Sequence, residues 1–108
     1  MKRRLLIRPA AVRDICDHHT RIAAEQPYAA ERFVDAIDET MDSLREHPEV
    51  GRACDFRSPA LADMRRTLVR GFRMLILFHR AVGDDLVLER VLHAARDVPG
   101  LLGEDELT

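Results

Sequence analysis

The sequence predicts a two-layer α+β domain, a helical hairpin packed on an antiparallel sheet in the order βααβββ. Three observations predict it. Two amphipathic segments follow one another with only Pro27 between them. Three short apolar runs come after residue 63, separated by glycine turns. A fourth apolar run, Leu5 to Ile7, precedes the helices.

Taken in order, Lys2 to Arg8 reads as a short strand ended by Pro9, which also suits the first turn of a helix because its missing N–H is not needed there. Val12, Ile15, Cys16, His19, Ile22 and Ala23 then fall at helical spacing as the core stripe, with Asp14, Asp17, Arg21 and Glu25 on the other face. Pro27 opens a second helix, the clearest element of the chain. Its stripe is Ala30, Phe33, Val34, Ile37, Met41 and Leu44, opposite Glu31, Asp35, Asp38, Glu39, Asp42 and Glu46. Pro48 disfavours helical geometry at His47, and Gly51 offers a turn. Residues 51–63 show no period and read as a loop. Met64 to Arg70 is a strand, Gly71 a tight turn, and Arg73 to His79 a central strand covered on both faces. Gly83 to Asp85 turns into a last strand, Leu86 to His93. Because a helical hairpin reverses the chain twice, the second strand should run against the first. Residues 100–108 read as a mobile or partly helical tail.

At 108 residues the chain is read as one domain over 1–108, large enough to bury roughly two thirds of its unfolded surface without metal or disulfide staples. Cys16 and Cys54 have neither framework nor ligand spacing and read as a packed thiol and a loop thiol. His18 and His19 are adjacent on a helix and face different ways, so no metal site and no cofactor is expected. The apolar run after Lys2, Arg3 and Arg4 is too short for export or a membrane span, and a cytoplasmic protein is expected. A net charge of −2 argues against broad nucleic-acid binding. The charge is segregated, however: residues 31–49 hold seven acids against two arginines, while residues 57–80 hold six arginines against Asp63. A basic face can therefore exist on an acidic protein.

Four phrases carry a family resemblance: Ala29-Ala-Glu-Arg-Phe-Val34, His47-Pro-Glu-Val-Gly-Arg52, Arg66-Thr-Leu-Val-Arg-Gly-Phe-Arg73 and Val91-Leu-His-Ala-Ala-Arg-Asp97. In this order, over roughly residues 3–99, they resemble the RelE/ParE toxin superfamily, and its ParE-like, plasmid-stabilisation branch more than its RelE-like branch. The resemblance implies the RelE/ParE-like fold. It also implies a growth-inhibiting toxin of a type II toxin–antitoxin system, neutralised by a cognate ribbon-helix-helix or Phd-like antitoxin. ParE-like toxins with a known target inhibit DNA gyrase, whereas RelE-like toxins cut mRNA on the ribosome. A degenerate relative would keep only antitoxin binding.

Cleavage through a ribose 2′-OH needs a base, an acid and charge stabilisation at the phosphorane. Arg73 and Arg96 resemble the RelE-like arginines, and His79 and His93 are the nearby groups that titrate near neutrality. RelE-like enzymes also carry a tyrosine near the chain end, but the one tyrosine here is Tyr28. The proton-transfer set of Arg73, Arg96 and His93 is thus incomplete, and an inhibitory binder of gyrase is expected rather than a nuclease. Arg65, Arg66, Arg70, Arg73 and Arg96 are the expected antitoxin- or target-binding residues, complementing an acidic partner. The bland reading of the same arginines is a solubilised sheet surface that discourages edge pairing.

Overall fold

The computed structural model describes residues 2–56 and 59–97. The elements are β1 (Arg4–Ile7), α1 (Pro9–Glu25), α2 (Pro27–Glu46), β2 (Arg52–Ala53), β3 (Arg65–Val69), β4 (Phe72–Val82) and β5 (Asp85–His93), with single 3-10 turns at Pro48–Val50 and Pro59–Leu61. Both helices begin on a proline, and α2 ends at Glu46 with His47 as its C-cap, where the following Pro48 disfavours helix. Gly71 and Gly83, at φ 81° and 58°, make the two tight turns of the meander. The expected tail at 100–108 lies outside the described residues.

The α+β class and the layering of a helix pair on a sheet are as expected. The sheet is mixed, in the order β1-β5-β4-β3-β2. Strands β2 to β5 pair antiparallel, while β1 joins β5 in parallel, Leu5 beside Leu86 and Ile7 beside Leu88. The strand that runs against β1 after the helices is β2, two residues within the segment read as a loop. Its presence gives β3 the same direction as β1, contrary to the simpler reading.

One core lies between sheet and helices. Phe33, Ile37, Met41 and Leu44 of α2 bury against Val69, Leu75, Leu77, Leu86, Leu88 and Val91, with Phe33 edge-on to Phe72 at 5.6 Å. Each such side chain contributes about 1.5–3 kcal/mol through apolar burial. Val34, expected in the stripe, is 40% exposed, and Ala29, Ala36 and Thr40 take its share of the face. A second, smaller core lies on the opposite side of the sheet, where Met64, Ile76, Phe78 and Leu92 pack under Cys54, Phe56 and Leu61. The segment read as a loop is thus the cover of the outer face, and it explains why Leu75–His79 is buried on both sides.

Helix α1 faces the core one residue away from the expected stripe. Ala11 and His18 are buried and Ile15 and Ile22 half-buried, whereas Val12, Cys16 and His19 are exposed. The reason is polar. Asp14, expected on the solvent side, turns inward. Its Oδ2 accepts hydrogen bonds from Arg90 Nε at 2.7 Å and from the Val91 N–H at 3.0 Å, and its Oδ1 accepts from Arg90 Nη2 at 2.9 Å. One turn on, His18 Nε2 donates to the Val91 carbonyl at 2.7 Å. Cys16 is accordingly an exposed thiol, not a packed one. Cys54 is half-buried, and burial pushes its thiol pKa up.

Gly51 serves close approach rather than a special turn, for its φ is an ordinary −62°. An added Cβ would stand 2.6 Å from the His79 imidazole and 2.8 Å from Thr67 Oγ1. Gly51→Ala is expected to lower stability by about 1–3 kcal/mol, the range for overpacking a filled interior. The urea midpoint of the variant measures this, and an unchanged midpoint would contradict the packing described.

Candidate functional site: an arginine-rimmed cleft

A cleft of about 290 Å³ opens between α1, the start of β4 and the end of β5. Helix α1 contributes His18, Arg21, Ile22 and Glu25, one stripe at i, i+3, i+4 and i+7. Strand β4 contributes Phe72, Arg73, Met74 and Leu75, and the turn after β5 supplies His93 and Arg96. Arg73, His93 and Arg96, expected as a set, share this cleft. Arg21 and His18 were missed because α1 was read on the wrong face. Their signal is the spacing Asp14, His18, Arg21, Glu25, which puts four polar groups on the face that also carries Ala11, Ile15 and Ile22.

The turn that holds Arg96 is built on His93. The Asp97 N–H donates to the His93 carbonyl at 2.9 Å, and the His93 N–H donates to Asp97 Oδ2 at 2.8 Å. His93 Nδ1 accepts from the N–H groups of Ala95 and Arg96 at 3.3 and 3.2 Å. With Nδ1 an acceptor, the neutral ring carries its proton on Nε2. Desolvation first, and then the Arg96 charge, hold the His93 pKa below the ordinary histidine value, against an opposing effect of Asp97. The neutral ring carries an Nε2–H donor, and its Nδ1 lone pair faces the backbone N–H groups of Ala95 and Arg96. Asp97 closes the last strand through the His93 backbone rather than through an ion pair with Arg96.

His79 lies elsewhere. Only 1% of it is exposed, Nε2 is 2.8 Å from Thr67 Oγ1, and Nδ1 is buried with no hydrogen-bond partner among the described residues. Burial first and the Arg65 charge second lower its pKa to about 4. It is a neutral core residue, not a companion of His93.

The other arginines divide among separate places. Arg65 Nη1 donates to the carbonyls of Glu49 and Gly51 at 3.2 and 2.6 Å and holds the turn after α2. Arg66 lines a shallow depression on the outer sheet face with Arg52, Val50, Leu68 and Ile76. Arg70 sits beyond the β3 end, 3.9 Å from Glu39 of α2. Arg80, the last of the basic run, is tied to Glu89 at 2.9 Å and Asp63 at 3.3 Å. Within the basic run, Arg70 and Arg80 thus meet carboxylates, while Arg65 is held by backbone carbonyls. No group of three or more His, Cys, Asp or Glu side chains that could hold a metal ion occurs among the described residues.

The family model described as ParE toxin of type II toxin-antitoxin system, parDE, matches residues 5–98. The chain belongs to that family. A solved structure titled "Chromosomal ParDE TA system from P. aeruginosa" is similar to it at a TM-score of 0.69 and 16% identity, covering 85% of this chain and 96% of that one. At that identity the likeness shows the shared fold. No curated protein matches the chain. No described helix of this ParE-family chain is long and apolar enough to cross a membrane.

Proposed function

We propose that this ParE-family chain arrests growth in the cytoplasm by binding DNA gyrase, and that a cognate antitoxin of ribbon-helix-helix or Phd-like type neutralises it. The observation that carries the binding mode is the state of His93. The cleft arginines supply charge and bidentate hydrogen bonds, but the imidazole beside them has its lone pair committed to two backbone N–H groups. That arrangement recognises a partner without a base to drive bond cleavage. An RelE-like nuclease is the second reading, favoured by the shared cleft of Arg73, His93 and Arg96 and opposed by the same hydrogen bonds.

The antitoxin finds a different surface. On the outer sheet face Leu68 and Met74 are 55% and 47% exposed, and Val50 is 71% exposed, beside Arg52 and Arg66. Strand β2 pairs only with Arg65 and Arg66, so β3 has an open edge from Thr67 onward. An acidic antitoxin segment with alternating apolar residues fits this face by strand addition.

Purified protein is expected to inhibit gyrase supercoiling at about micromolar concentration, equivalent to roughly 8 kcal/mol of binding. The double variant Arg73→Ala/Arg96→Ala should weaken inhibition about tenfold or more, because charged hydrogen bonds contribute about 1.5–3 kcal/mol each. Untouched supercoiling together with cut mRNA in induced cells would replace this reading by the nuclease one.

A further inference from the structure

We infer that the free edge of β1, with the groove that α2 forms beside it, is a docking site for an extended protein segment that sets a basic side chain against Asp38 and an apolar one on Leu6.

Strand β1 ends the sheet on its side and has β5 as its one neighbour. Arg4 and Arg8 donate their N–H groups to the Asp84 and Leu88 carbonyls on the β5 side. The alternation of a strand then turns the N–H and C=O groups of residues 3, 5 and 7 outward. At residue 3 both are met by Arg45. The Arg3 N–H donates to the Arg45 carbonyl at 3.0 Å, and the Arg3 carbonyl accepts from Arg45 Nε at 2.7 Å. At Leu5 and Ile7 the outward groups have no hydrogen-bond partner among the described residues. Pro9 then begins α1, so the open stretch runs from Leu5 to Ile7.

Unpaired charge commonly guards such an edge, but here it is neutralised. Arg4 lies 2.9 Å from Asp85 and Arg8 3.3 Å from Glu89. Leu6 and Ile7 are meanwhile 42% and 38% exposed. The groove beside the edge, about 430 Å³, is lined by Leu5, Met41, Asp38, Glu39, Asp42 and Arg45. Lys2 lies 2.7 Å from Asp42 and 4.0 Å from Glu46, Arg45 is 3.8 Å from Asp42, and Arg70 is 3.9 Å from Glu39. Four carboxylates, with Asp38, against these three cations leave one negative charge, and Asp38 is the one without a partner among the described residues.

These features select the occupant. A strand added at Leu5 and Ile7 turns alternate side chains to the α2 wall and the one between them to the outer face, over Leu6. A lysine or arginine on the wall side matches Asp38, and an apolar residue matches Leu6. A second copy of the chain fits poorly. Pairing Leu5 with Ile7 across a two-fold axis opposes Arg4 to Arg8 and brings two acidic α2 walls together. An acidic antitoxin segment meets the same repulsion here.

The test is an NMR titration of the full chain, read at the Leu5, Ile7 and Asp38 amides, with end-capped pentapeptides. The first has the order threonine, lysine, valine, lysine, threonine. The second carries glutamate in place of both lysines. The third keeps the lysines but is N-methylated at its central residues, which removes the donors of an added strand. The lysine peptide is expected to bind saturably with a dissociation constant of about 0.1–1 mM and to slow amide exchange at Leu5 and Ile7. The other two should bind at least about tenfold more weakly. Asp38→Asn should weaken the lysine peptide about two- to fivefold, the range for one exposed ion pair, and the exposed position keeps the fold. Equal binding of the N-methylated peptide would mean docking without strand pairing. Equal binding of the glutamate peptide, or an unchanged Asp38→Asn, would mean no charge selection. Either result overturns the inference. So do shifts confined to Leu68 and Arg70 at the β3 edge, no shift at millimolar peptide, or a dimer of the chain formed through Leu5–Ile7.

Discussion

Asp14→Ala is expected to destabilise the fold by about 2–3 kcal/mol, because a part-buried guanidinium and a backbone N–H lose their charged acceptor. Strand β1 ends at Ile7, and its last bond to β5 is Arg8 N–H to the Leu88 carbonyl at 3.0 Å. Beyond that point β5 would present an open edge under α1. Asp14 takes the Val91 N–H and both arms of Arg90, and His18 takes the Val91 carbonyl, so two side chains one helical turn apart replace the missing strand. The hydrogen bonds to Asp14 chiefly account for the raised Arg90 pKa. Alanine leaves a half-buried guanidinium and an N–H without acceptors. Asp14→Asn keeps a neutral acceptor for one of them and should recover about half of the loss. Urea unfolding of the three proteins decides it. A change in Asp14→Ala below about 0.5 kcal/mol, the size of an ordinary surface substitution, would mean that the edge closure is not stabilising.

The second large effect is a loss of stability in mild acid that traces to His79. Its pKa is lowered to about 4 in the fold, against about 6.5 in the unfolded chain. The fold therefore holds the neutral ring, and the unfolded chain takes up the proton first. Stability from this group is complete above pH 6.5 and falls as pH drops from there to about 4, by about 3 kcal/mol in all. The structural reason is that protonation puts N–H groups on both ring nitrogens, while Nδ1 is buried with no partner and Thr67 serves only Nε2. Asp42 and Asp85 have lowered pKa values through hydrogen bonds to Lys2 and Arg4, so their stabilisation is lost below pH 4, outside this window. His93 shifts in the same direction as His79, but its ring is only half-buried. Unfolding free energy between pH 7 and 4 should flatten in His79→Gln. Parallel pH profiles for the two proteins would remove the assignment to His79.

Helix α2 was legible because its buried face is almost wholly apolar, so period and burial carry the same signal. Helix α1 was not, because two of its inward residues are Asp14 and His18, and a hydrophobicity pattern scores them as solvent-facing. Strand β2 escaped because two residues cannot show alternation. The pairing of β1 with β5 depends on the hand and length of the helical crossover, which local patterns do not encode. At the cleft, Arg73 and Arg96 were picked out by their resemblance to the RelE-like arginines, and His93 as a nearby group that titrates near neutrality. Their companion Arg21 required knowing which way α1 is rotated. The split of the basic run into a turn clamp at Arg65, an outer-face residue at Arg66 and an ion pair at Arg70 is decided by partners on distant segments, Glu49, Gly51 and Glu39.

The parallel seam between the first and last strands also bears on how the molecule comes into being. Residues 4–7 leave the ribosome early, yet the backbone they must bond to is translated some eighty positions later. Joining such remote segments carries the largest loop-closure entropy in the chain. A nascent chain thus lacks its finished sheet, and with it the β5 wall of the arginine cleft, until residues 85–93 have been made. The completed cleft is withheld from shorter chains by topology.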